Sequence, residues 1–141
     1  MDEFPFADED WSRVSEAGWA IVHASEMEDD ILTAAARSEV RAILTELTEA
    51  YGTHPVLIET AADFADDPHE RVLLYRQAHQ LATEHELPKY TILISLARVL
   101  IDDLSQPAAA RGYLLECRSE IDSLADEGEQ REWRELVARV D

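Results

Sequence analysis

Lysine occurs once in this 141-residue chain, at Lys89, and cysteine once, at Cys117. A lone cysteine cannot close an internal disulfide, which suits a reducing compartment. Glycine is held to four residues, too few to favour phosphate-cradling loops, and no P-loop, dinucleotide fingerprint or G-x-S-x-G motif is present. No apolar run is long enough to span a bilayer; the best, Tyr90 to Ile101, is short and interrupted by Arg98. Runs of β-branched residues are scarce too, and with only five prolines the composition favours helix over sheet. The acidic opening MDEFPFADEDW is unlike a secretory or mitochondrial signal, so a cytoplasmic location is expected.

The scarcity of bases has the largest physical consequence. Twelve Lys and Arg stand against 31 Asp and Glu, a net charge of −19, and residues 1–30 alone hold ten acids and one base. Such a field repels nucleic acid and anionic membranes and attracts basic partners. The 46% of apolar residues suffices for a core, and the length suits one domain, expected over 8–141 behind an acidic tail at 1–7.

The apolar residues that are present follow a helical period. From Pro107, Ala110, Leu114, Cys117, Ile121 and Leu124 fall on one face. Pro68, Pro88 and Pro107 each open a helical stretch, since proline costs little in a first turn. Seven antiparallel helices are expected: from a cap at Asp8 or Asp10 to Ser25; Glu28 to Tyr51, stopped by Gly52; a short one capped by Thr53; one capped by Asp67; one from Pro88; one from Pro107, broken at Glu127-Gly128; and Gln130 to Val140. The expected core includes Leu74, Tyr75, Ala78, Leu93, Leu96, Leu100, Leu114, Cys117 and Ile121.

The odd-numbered helices share a spacing. It reads Val14, Ala17-Gly18, Ile21; then Leu57, Thr60-Ala61, Phe64; then Leu93, Leu96-Ala97, Leu100; then Trp133, Leu136-Val137, Val140. This resembles W-x-x-L-G-x-x-Y in the first helix of a tetratricopeptide repeat. Ala110, Leu114 and Cys117 resemble A-x-x-x-F-x-x-A of the second. The repeat is degenerate, because Val14, Leu57, Leu93 and Trp133 step by 43, 36 and 40 residues rather than a constant 34, and Arg71 stands where a small residue is expected. The resemblance, over about residues 10–140, implies an all-α, TPR-like right-handed helical array; an irregular helical bundle is the alternative. It further implies a concave groove lined by first helices. The residues carried into that groove are Ser15, Trp19 and His23, Ile58 and Ala62, and Thr91, Ile94, Arg98 and Asp102, with Asp63 and Ser95 beside them.

Catalytic and metal constellations are not evident. His79 and His85 are six apart and so lie on different helix faces, and there is neither H-E-x-x-H nor a Glu-x-x-His pair. Cys117 lies on a core stripe and reads as a buried thiol. The expectation is therefore a non-enzymatic interaction module without cofactor or metal: an adaptor, chaperone or inhibitor that grips a basic or amphipathic polypeptide. The alternative is an acidic immunity or nucleic-acid-mimic protein that blocks the basic site of a nuclease or toxin.

Overall fold

A computed structural model describes residues 5–141, and it is all-α: 82% of the described residues are helical and none is in a strand. Eight helices follow one another, α1 (Asp8–Glu26), α2 (Asp30–Tyr51), α3 (Pro55–Phe64), α4 (Pro68–Glu84), α5 (Tyr90–Asp102), α6 (Pro107–Glu116), α7 (Arg118–Leu124) and α8 (Glu127–Val140). The chain divides after Ala65 into two compact units, α1–α3 and α4–α8. Residues 1–4 of the expected tail lie outside the described residues.

In the first unit α1 and α2 form an antiparallel hairpin. Arg13 pairs with Glu46, and Tyr51 Oη donates to Asp10 Oδ2 at 2.7 Å. Their facing stripes, Val14, Ala17 and Ile21 against Val40, Ile43, Leu44 and Leu47, are buried together with Leu57 of α3. Phe6 is buried as well, stacked on Trp11 at 5.4 Å between ring centroids. Neither Asp8 nor Asp10 caps α1: Ala7 holds the cap position without a side-chain bond, and both acids lie inside the first turn. They serve the positive end of the helix dipole there. Gly52 stops α2 as expected, at φ +85, a conformation glycine adopts freely. The cap of α3 is His54, whose Nδ1 accepts from the Val56 N–H at 3.1 Å, rather than Thr53.

In the second unit α5 is the central element. Ile92, Leu93, Ile94, Leu96, Ala97, Val99 and Leu100 are all buried, and α4 and α6 pack on it. Asp67 caps α4, and Pro68 and Pro107 sit in the first turns of α4 and α6. Pro88 instead precedes α5, which begins at Tyr90 with Lys89 at its cap. The expected single helix from Pro107 is two helices. The chain breaks at Cys117, where Trp133 Nε1 donates to the Leu114 carbonyl at 2.8 Å and Cys117 Sγ donates to the same oxygen at 3.5 Å. An outside donor takes the carbonyl that the helix would use to continue. Ala110, Leu114, Cys117 and Ile121 stay buried across the break, whereas Leu124 is exposed and Leu74 only half-buried. Glu127-Gly128 does not end a helix; it opens α8, behind a capping box in which Asp126 Oδ1 accepts from the Glu129 N–H and Glu129 Oε1 from the Asp126 N–H. Two ion pairs, Arg98–Glu132 and Asp102–Arg139, join α5 to α8 in a register that has both helices running in the same direction.

Candidate functional site

The first unit carries most of the charge. Residues 1–65 hold fifteen acids against three arginines, net −12, and 66–141 hold sixteen against nine, net −7. On this acidic unit Trp19 stands 67% exposed, next to Gly18, which is buried. A Cβ on Gly18 would lie 2.5 Å from Phe64 Cζ, so the missing side chain makes room for the Phe64 ring of α3. His23, one turn on, is exposed, and so is Ser15. Ile58 is half-buried, Asp63 exposed and Ala62 fully buried.

The other proposed contact residues belong to the second unit. Thr91 and Asp102 are exposed and Ser95 is half-buried. Ile94 is only 3% exposed and packs in the core. The charged members of the α5 stripe have partners inside the unit: Arg98 Nη2 lies 2.7 Å from Glu132 Oε2, and Asp102 Oδ1 accepts from Arg139 Nη2 at 2.6 Å. Arg98 Nε is buried with no hydrogen-bond partner, a small unmet cost beside the ion pair on the same guanidinium.

Two features were not singled out from the sequence. The first is a groove of about 500 Å³ on the α1–α2 hairpin, lined by Ala17, Ala20, Ala42 and Ile43, by Glu16, Glu39 and Glu49, and by the Arg13–Glu46 pair. The second is the hairpin tip, where Met27 is 61%, Ile31 85% and Leu32 47% exposed. Its signal was available: Ile31 lies nine residues before Val40, about two and a half helical turns, and so on the opposite face from the buried stripe.

The second unit holds one compact titratable cluster. Glu116 of α6 meets His79 Nε2 of α4 at 2.6 Å and Lys89 Nζ at 3.1 Å. Glu120 Oε1 accepts from the Lys89 N–H at 2.8 Å, and Tyr113 stands edge-on to His79 at 5.8 Å. Burial alone would raise the Glu116 carboxyl, but the bonds from His79 and Lys89 together bring it below the ordinary carboxylate value. The cluster ties α4, the start of α5 and α6 together. Burial pushes the Cys117 thiol up to about 11, so the thiolate a nucleophile needs is scarce at neutral pH. Among the described residues no three metal-ligating side chains converge, and no helix is long and apolar enough to cross a membrane. No protein-family model matches the chain, and no curated protein matches it in sequence.

Proposed function

We propose that the chain is a non-enzymatic interaction module, an adaptor, chaperone or inhibitor, that holds a basic or amphipathic polypeptide of another protein. The observation that carries this reading is Trp19, a large amphipathic anchor 67% exposed on a unit of net charge −12. An exposed tryptophan in an acidic field suits a partner with apolar and cationic groups side by side. The tetratricopeptide resemblance of the sequence supports the same reading, and a cytoplasmic site of action fits the lone buried thiol.

The test is binding kinetics with a synthetic amphipathic helix of about 18 residues, leucines on one face and arginines flanking them. Association should slow as salt rises from about 50 to 500 mM, because electrostatics steers the encounter. Dissociation should speed up severalfold in Trp19→Ala. The charge of −19 favours a second reading, a decoy that occupies the basic site of a nuclease or toxin. That reading predicts that neutralising a row of surface acids abolishes binding while Trp19→Ala leaves it intact, and this result would replace the first reading.

A further inference from the structure

The hairpin tip places acids where helix physics disfavours them. Glu26 is the last residue of α1, at the negative end of its dipole, and Glu28 follows at φ +55, a left-handed conformation that glycine or asparagine adopts more cheaply. Asp29 and Asp30 have local reasons to be there: Asp29 Oδ1 accepts from the Leu32 N–H at 2.9 Å, and Asp30 lies in the first turn of α2. Glu26 and Glu28 have no such reason; His23 is the one basic side chain in the last turn of α1, and no lysine or arginine lies between Arg13 and Arg37 in the sequence. The α4–α5 turn is an internal control. It repeats the backbone, with Glu86 at φ +54 and the Glu86 N–H on the Thr83 carbonyl, as the Glu28 N–H is on Ser25. There, however, Leu87 is half-buried and Lys89 lies three residues on. At the first tip the apolar residues turn outward instead, with Ile31 the most exposed large apolar side chain among those described.

We infer that this tip, Met27, Ile31 and Leu32 set among Glu26, Glu28 and Asp30, is the docking point for a basic amphipathic helix of another protein. The inference rests on the interaction-module reading and names a second anchor for it, apart from Trp19. The apolar knob buries against the hydrophobic face of the helix, and arginines or lysines on its flanks meet the carboxylates. Charge decides among the occupants. A second copy would set four acids against four, and an anionic bilayer would repel the tip equally. A cationic helix meets both features at once.

The experiment uses the full chain, the leucine–arginine peptide described above and a twin in which glutamine replaces arginine. The variant Met27→Ser/Ile31→Ser/Leu32→Ser changes exposed positions only, and circular dichroism checks that it stays helical. It should raise the peptide Kd about tenfold or more. Methyl NMR shifts in the unmodified chain should centre on Met27, Ile31 and Leu32, and the glutamine peptide should bind about tenfold more weakly at low salt. An unchanged Kd in the serine variant overturns the tip; if Trp19→Ala still weakens binding, the module reading survives. Failure of both peptides to bind overturns both readings. Self-association that sedimentation detects in the unmodified chain and not in Ile31→Ser would make a second copy the occupant and overturn this one.

Discussion

Gly18 shows how a single absent methyl makes room for a neighbouring ring. Mid-helix glycine costs about 1 kcal/mol relative to alanine. The chain accepts that cost because a Cβ would lie 2.5 Å from the end of the Phe64 ring. Gly18→Ala should therefore destabilise the protein, overpacking of about 1–3 kcal/mol outweighing the helix-propensity gain. In a Phe64→Leu background the clash is relieved, and the same substitution should stabilise by up to about 1 kcal/mol. Urea unfolding of the four chains closes this cycle, and a stabilising Gly18→Ala in the native background would refute the argument. Glu116 supplies a pH dependence. Its folded value is depressed by His79 and Lys89, so its contribution is present above the ordinary carboxyl value of 4.5 and is lost as pH falls through the lower folded value. The carboxylate is partly exposed, so the contribution stays within about 1 kcal/mol. Glu116→Gln should be slightly less stable than the unmodified chain at neutral pH and should converge with it under acid, as read by unfolding titrations near pH 7, 4.5 and 3.

Among the elements, the α1 C-terminus invites one change. Glu28→Gly removes a side chain from a left-handed backbone and an acid from the negative end of a helix, and should add about 0.5–1 kcal/mol in thermal unfolding. The helices themselves were largely legible. Pro68, Pro107 and Gly52 mark boundaries because proline and glycine act through their own backbones, and the stripe from Ala110 to Ile121 is buried as its spacing requires. What was not legible depends on distant partners. Cys117, at φ −95 and ψ 9, stays close enough to helical for the stripe to keep its phase, so periodicity passes over the break. Its cause, the Trp133 indole on the Leu114 carbonyl, lies nineteen residues away. The D-x-x-E of Asp126 and Glu129 was a readable capping signal, outweighed by a glycine that α8 accommodates in its first turn. The surface positions depended most on tertiary context. Trp19 and His23 are open, whereas Ile94 is in the core and Arg98 and Asp102 have partners on α8. A helical period places a residue on a face, but it does not say which neighbour covers that face.

At the scale of the molecule, charge is unevenly shared between the two units, −12 against −7. Like-charge repulsion within each unit opposes compaction and is screened within about 10 Å at 0.1 M salt. Salt should therefore tighten α1–α3 more than α4–α8. Hydrogen exchange at about 50 and 500 mM sodium chloride should show the larger gain in protection over residues 8–64, and an equal or reversed gain would separate the stability of the units from their charge.

The exposed indole of Trp19 has an optical consequence. Trp11 and Trp133 are half-buried, and Trp133 also donates its N–H to a carbonyl, so Trp19 should dominate the red edge of the emission and any collisional quenching. A quencher reaching it crosses the field of the more acidic unit, which enriches cations and excludes anions. Relative to free tryptophan at equal ionic strength, caesium should gain and iodide lose quenching efficiency at that edge, whereas acrylamide, being neutral, should not feel the field. The same indole is then a native reporter: a helix that covers it will shift its emission to shorter wavelength and shield it from caesium first.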